Sequence, residues 1–205
     1  SPGATSDDKI LESVEGFIGP PLMITEKLDG SNVSLNREFF HARSANGEPN
    51  HPSFDWLKSK YHGELKWLIP KGVTVCCEYV FAKHSIHYDD LDSYLFIIGV
   101  RDDDYNLWLS FDEIQDIEDQ LGIPYVPVLE YYKKYKTVDE LYKDIVKHTT
   151  SPGTYGTKEG IVIRHAHKFP VEDFATKVGK WVRANHVQTD EHWTNQAIIK
   201  NSLRG

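Results

Sequence analysis

Glu26-Lys27-Leu28-Asp29-Gly30-Ser31-Asn32 is the stretch from which the rest of the chain is read. The apolar run Leu22 to Thr25 before it has strand character, and Asp29-Gly30 marks a tight turn, so Lys27 stands at a strand end where the chain reverses. A lysine in that place sits at the edge of a cavity. An unperturbed lysine has a pKa of about 10.4, and holding its amine neutral near pH 7 costs roughly 4 kcal/mol unless desolvation or neighbouring cations lower that value. A nucleophilic Lys27 therefore requires cations contributed from elsewhere in the chain. Taken alone, Lys-x-Asp-Gly reads first as a hairpin with one exposed lysine, and the windows that follow it decide between the two readings.

His41-Ala42-Arg43-Ser44 sets a guanidinium in a loop, where its planar fork suits phosphate better than a lysine's point charge. Val75-Cys76-Cys77-Glu78-Tyr79 is an apolar strand with one acid, and a glutamate at a buried strand end needs a partner or a ligand. In Tyr94-Leu95-Phe96-Ile97-Ile98-Gly99-Val100, Phe96 and Ile98 lie two apart and share a strand face. Lys158-Glu159-Gly160-Ile161-Val162-Ile163-Arg164 carries an acid and a glycine into an apolar strand. Lys177-Val178-Gly179-Lys180-Trp181-Val182-Arg183 is a basic segment with strand character.

In this order the windows resemble the covalent nucleotidyltransferases, the superfamily of ATP-dependent RNA and DNA ligases and mRNA capping enzymes, and the RNA ligases most closely. The resemblance implies that Lys27 takes AMP as a phosphoramidate, with Glu26, Asp29 and Gly30 framing the nucleotide. Asn32 stands where DNA ligases and capping enzymes commonly have arginine, which points to RNA. By the same resemblance Arg43 touches the ribose and holds the 5′-phosphate, and Glu78 contacts the ribose hydroxyl or a metal-bound water. Glu159 positions the divalent ion, and Ile161 forms one wall of the base pocket. The residue stacking on the purine is Phe96 or Ile98, because the family's usual Phe-Asp reads Ile98-Gly99; Phe96 is chosen for its π-face. Lys180 matches the first of two cations in the family's fifth motif. The second falls on Val182, so Lys177 or Arg183 stands in for it. These cations would bind the α-phosphate and lower the pKa of Lys27.

The chain has 205 residues, 40% of them hydrophobic and 26% charged, enough to bury a core and too ordered in composition for a disordered or collagenous chain. Its formal net charge of -8 means that nucleic acid would be held by a local basic stripe and not by global charge. Cys76 and Cys77, the only cysteines, are adjacent in an apolar run, which suits a reducing cytoplasm. The longest apolar stretch, near Leu95 to Val100, is too short to span a bilayer, and no export signal opens the chain. Residues 1–6, Ser1-Pro2-Gly3-Ala4-Thr5-Ser6, read as a processed or added start, and 7–205 as one domain.

Short strands are expected at Leu22–Thr25, Val33–Leu35, Val73–Tyr79, Tyr94–Val100, Leu107–Leu109, Ile161–Arg164 and Lys180–Arg183. Capping boxes Ser110/Glu113 and Thr137/Glu140 open helices ending near Gly122 and His148, and a further helix starts near Ser53. Irregular alternation of the two kinds favours α+β: the nucleotidyltransferase (ligase adenylation domain) fold, with antiparallel or mixed sheets flanked by helices. Too few residues follow Arg183 for an OB domain, so none is expected. Gly153 to Thr157 reads as a mobile loop. Lys133, Lys134 and Lys136 with Tyr131, Tyr132 and Tyr135 read as a solvated loop before a helix. His186 to Trp193 resembles a segment of bacterial and phage RNA ligases and is expected to pack back on the core.

The resulting expectation is an ATP-dependent RNA ligase using Mg²⁺ or Mn²⁺ and joining RNA ends that bear 5′-phosphate and 3′-hydroxyl. A capping-type guanylyltransferase, or a nucleotide- or RNA-binding module that has lost catalysis, are the alternatives.

Overall fold

The structure is a computed structural model that describes residues 14–43, 47–183 and 197–205. The expectations for residues 1–6 and for His186 to Trp193, together with Ser44, lie outside the described residues. Two antiparallel sheets form the frame. The smaller has the order β10-β8-β1-β7, from Val178–Val182, Gly160–His165, Leu22–Lys27 and Val128–Lys133. The larger runs β3-β2-β4-β5-β6-β9, from Phe40–Ala42, Ser31–Leu35, Val73–Tyr79, Leu95–Asp102, Leu107–Trp108 and Phe169–Pro170. The turn between β1 and β2 carries the chain from one sheet to the other, so Leu28-Asp29-Gly30 sits at the seam.

Helix α1 (Asp55–Lys60) continues through a π-helical turn at Tyr61–Leu65. Helices α2 (Phe111–Leu121), α3 (Val138–Thr150) and the short α4 (Phe174–Lys177) follow. The capping signals act as their chemistry dictates. Ser110 Oγ accepts from Glu113 N at 3.3 Å while Glu113 Oε1 accepts from Ser110 N at 3.1 Å, and Thr137 Oγ1 accepts from Glu140 N at 3.2 Å. Gly122 closes α2 with φ 64°, a left-handed cap that costs glycine little.

Strand parity decides what each face does. In β1, Leu22 and Ile24 join Ile161, Ile163 and Trp181 in a core closed by Leu141 and Ile145 of α3. The opposite face holds Met23, Thr25 and Lys27. Through the ladder, Lys27 stands opposite Gly160, Thr25 opposite Val162 and Met23 opposite Arg164. On the next strand Lys180 faces Val162 and Val178 faces Arg164. That face looks across at the larger sheet, and a cavity lies between them.

Strand β7 contains Tyr131, Tyr132 and Lys133, expected in a loop, while Lys134, Tyr135 and Lys136 do lie between it and α3. Its pairing with β1 shifts register twice and Tyr132 adopts φ 47°, so no two-residue alternation survives in Val128–Lys133 to announce a strand. Lys133 is taken up by Asp144, at 2.6 Å, and by Glu130, at 3.7 Å. The patch is an edge strand docked on α3.

Candidate active site

The cavity encloses about 750 Å³, within the range that suits a nucleotide. At one end lie Lys27, Gly30, Asn32, Arg43 and Glu78; at the other Ile98, Gly99, Trp108 and Val162, with Arg164 and Lys180 on the smaller sheet's side.

Lys27 Nζ lies 2.7 Å from Glu159 Oε2, and the Glu159 side chain is only 4% exposed. Glu159 enters this position from the residue before β8, beside Gly160, the ladder partner of Lys27. Gly160 is required by packing: a Cβ there would meet the backbone of Trp181 and, at 2.8 Å, Val182 Cα, so β10 could not approach. The second acid is Glu78, whose Oε1 accepts from Gly30 N at 3.0 Å. Burial pushes the Glu78 carboxyl up to about 7; Lys27 and the Gly30 amide pull the other way, and Glu159 and Asp29 add to the rise. Gly30 itself has no room for a side chain, since a Cβ would run into the Tyr79 carbonyl and Val80 Cγ1, the latter at 2.8 Å.

Both neighbours of the lysine are anchored away from it. Asp29 Oδ2 accepts from Ser85 N at 2.8 Å and Ile86 N at 2.7 Å, and Asp29 N donates to the Tyr88 hydroxyl at 3.0 Å. Glu26 Oε1 accepts from Thr154 N at 2.6 Å and Thr154 Oγ1 at 2.9 Å. Asp29, expected to touch the nucleotide, does not line the cavity and gives Oδ2 to the loop that holds the lysine's turn, whereas Glu26, expected to do the same, does line the cavity while its Oε1 holds Thr154. The glycine-rich stretch at Gly153 is thereby pinned to the strand that carries Lys27.

The base end differs from the expectation at two residues. Phe96 is 1% exposed, belongs to the larger sheet's core and packs on Tyr155 at 5.8 Å, so it does not line the cavity. Ile98 does, because a bulge between Cys76 and Cys77 in the β4–β5 register breaks the parity that would have paired it with Phe96. Ile161 is fully buried on the α3 side and points away; its neighbour Val162 supplies that wall, since β8 inherits the parity of Lys27. A tryptophan that sequence reasoning missed completes the pocket. Trp108 lines it, with its ring over Gly99: a Cβ at Gly99 would lie 3.2 Å from Trp108 Cζ3. Gly99, in place of the family's usual aspartate, was the signal that could have revealed it.

Of the expected cations, Arg43 and Lys180 line the cavity. Lys177 and Arg183 do not. Lys177 is the last residue of α4 and Arg183 follows the end of β10, whereas the same-face neighbours of Lys180 within the strand are Val178 and Val182. The Lys177 charge instead acts on His165, which it helps hold below the usual histidine range, after burial. Arg183 donates its backbone N–H to the Glu159 carbonyl at 3.0 Å. The unexpected cation is Arg164, 5% exposed, with Nη2 donating to the Leu109 carbonyl at 2.8 Å and Nε to the His165 carbonyl at 3.0 Å. It ties β8 to Leu109, the residue after Trp108.

Glu78 and Glu159 are hard oxygen donors brought near one lysine, a donor set whose chemistry fits a divalent cation. Among the described residues the one tight set of three ligating side chains, Glu130, Asp144 and His148, lies elsewhere, beneath α3, with Lys133 bonded into it.

A family model described as RNA ligase matches residues 20–182. The chain belongs to the RNA ligase family. Among solved structures, a Naegleria gruberi RNA ligase with PPi is similar with a TM-score of 0.64 at 16% identity, over 86% of this chain and 53% of that one. A mutant of that ligase with ATP and Mn gives 0.63 at 14% identity, over the same shares. An archaeal ATP-dependent RNA ligase gives 0.57 at 15%, over 85% of this chain and 45% of that one. At such identities the likeness is one of fold, and the chain spans about half the length of those ligases. None of the curated proteins searched matches it. No helix among the described residues is long and apolar enough to cross a membrane.

Proposed function

We propose that the chain is an ATP-dependent RNA ligase that joins 5′-phosphate and 3′-hydroxyl RNA ends, as in RNA repair, through a lysyl-AMP intermediate at Lys27. The observation that carries this reading is the Lys27 amine on a nucleotide-sized cavity, 2.7 Å from Glu159, in a member of the RNA ligase family. Once uncharged, Nζ attacks the α-phosphorus of ATP. A P–N bond forms, the bond to the bridging oxygen breaks, and pyrophosphate leaves. An oxygen of the RNA 5′-phosphate then attacks that phosphorus and Lys27 recovers its amine. Finally the 3′-hydroxyl attacks the activated RNA phosphorus, loses its proton, and AMP departs.

Each residue has a part that follows from its place. Arg43 and Lys180 offer positive charge to the phosphates and favour the neutral amine. The apolar walls of Ile98, Val162 and Trp108 take the adenine, with the indole supplying the stacking surface. Glu78 and Glu159 would hold Mg²⁺ or Mn²⁺, which neutralises triphosphate charge and orients the pyrophosphate. Cys76 and Cys77 are both free thiols, in keeping with a reducing cytoplasm.

The test is strand joining. RNA with 5′-phosphate and 3′-hydroxyl ends, incubated with ATP and Mg²⁺ or Mn²⁺, should be sealed, with adenylylated RNA as an intermediate. Protein labelling by GTP in place of ATP would select the capping-type reaction. ATP binding without an adduct would select a binding module, and faster sealing of all-DNA nicks would overturn the choice of polymer.

A further inference from the structure

The loop between β4 and β5, residues 80–94, holds the lysine's turn yet has almost no ladder of its own. Its hydrogen bonds are completed from residues 199–204. Lys83 N donates to the Ile199 carbonyl at 2.6 Å, Asn201 N to Phe81 at 2.8 Å, Leu91 N to Ser202 at 3.0 Å, Ser202 N to Tyr88 at 3.0 Å and Arg204 N to Leu91 at 2.8 Å. At the centre is Asn201, fully buried. Its Oδ1 accepts from Tyr88 N at 2.9 Å, its Nδ2 donates to the Val80 carbonyl at 2.8 Å, and its carbonyl accepts from the Tyr94 hydroxyl at 2.9 Å. A buried amide with both ends of its side chain paired fixes the two backbone groups it touches, because an unmade bond there leaves a polar group without water.

The two groups so fixed are close to the nucleophile's support. Tyr88, clamped through its backbone on both sides by Asn201 and Ser202, presents the hydroxyl that accepts from Asp29 N. Val80 is one of the residues against which Gly30 closes. A second connection runs on the other flank. Arg204 pairs with Asp90 and, at 3.0 Å, with Asp92; Asp92 Oδ2 accepts from the Tyr155 hydroxyl at 2.7 Å; and Tyr155 follows Thr154, which holds Glu26. Both loops that grip the residues flanking Lys27 therefore meet the segment 199–204.

We infer that Asn201 is a positioning residue for the covalent step: through Tyr88 it sets the turn that aims Lys27, without touching the nucleotide. This rests on the lysyl-AMP reading above. A misplacement of about 1 Å in a reacting group costs on the order of a hundredfold in rate, and little in ground-state binding when the binding walls lie elsewhere, as Ile98, Trp108 and Val162 do.

The experiment compares the whole chain with its Asn201→Leu and Tyr88→Phe variants. The first removes both the acceptor for Tyr88 N and the donor to Val80 at nearly constant shape; the second keeps the ring and removes only the acceptor for Asp29 N. Lysyl-AMP formation is followed in single turnovers against ATP concentration, beside hydrogen exchange in the peptide spanning 27–31. Each variant should lose roughly 10- to 100-fold in the limiting rate with half-saturation by ATP unchanged, and the double variant should lose little more than the worse single one. The peptide should exchange faster in both variants. Folded variants with unaltered exchange and rate overturn the inference, and so does a loss confined to ATP affinity. Should Asn201→Leu fail to fold, Tyr88→Phe carries both arms. Hydrogen exchange does not depend on chemistry: faster exchange in a chain that forms no adduct contradicts the lysyl-AMP reading and retains the positioning link, whereas a labelled chain with unchanged exchange does the reverse.

Discussion

The two ends of the cavity are built from the same two sheets by different rules. At the phosphate end, Lys27, Glu78 and Glu159 are charged groups taken from water, and each is held by a specific contact. At the base end, Ile98, Val162 and Trp108 are apolar, and any of their neighbours could do the same work if the strand turned it inward. Charge in an interior is costly and so marks its position in the sequence; an apolar wall is chemically anonymous and is decided by strand parity and bulges.

Changes at the phosphate end should therefore abolish chemistry, and changes at the base end should weaken binding. Lys27→Ala should leave no adduct and no sealing above background. Glu159→Gln, which removes the partner 2.7 Å from the amine, should slow adduct formation by about a hundredfold or more in a single-turnover assay. Both measurements break the comparison if the losses appear as weaker ATP binding alone.

Glu78 sharpens it through pH. Its carboxyl lies near 7 in the folded chain against an ordinary value of 4.5, so the folded form keeps a proton that the unfolded form has lost between those values. The stability contributed by this group is then fully present below pH 4.5 and lost as pH rises through 7, amounting to at most about 3 kcal/mol. Denaturant titrations should show this slope in the wild type and its loss in Glu78→Gln, measured as the difference between the two.

At the base end, Trp108→Ala should raise the ATP concentration for half-saturation about tenfold, the scale of one lost base–aromatic stack. Phe96→Leu should leave that value alone while lowering thermal stability, since Phe96 is a core residue. The smallest contrast lies at the start of β10. Lys180→Ala should slow adduct formation about tenfold and Lys177→Ala less than twofold, because Lys180 lines the cavity and Lys177, at the end of α4, does not.

The sequence made the phosphate end legible for the reason just given. Lys27, Glu78 and Glu159 each look out of place in apolar strands, and Ser110 and Thr137 announce their helices by capping chemistry. The errors share a cause. Choosing between Ile161 and Val162 needs the face of β8, which follows only once β8 is known to pair with β1, and setting Lys177 and Arg183 aside needs the two ends of β10, just beyond which they lie. Phe96 was preferred to Ile98 on aromatic character, and a bulge no residue type reveals reversed the choice. Trp108 comes from a two-residue strand and is admitted by Gly99, an absence of side chain that carries meaning only beside the residue filling it. Asp29 looked like a ligand because a conspicuous acid in a turn serves equally well as an anchor for two amides.

The most direct trial is the mass of the intact chain after exposure to ATP and Mg²⁺ or Mn²⁺, followed by fragmentation to locate any added group. The account predicts the mass of one AMP on the peptide containing Lys27, released by added RNA bearing a 5′-phosphate. An unmodified chain that still binds ATP, or an AMP carried by any other residue, would contradict it.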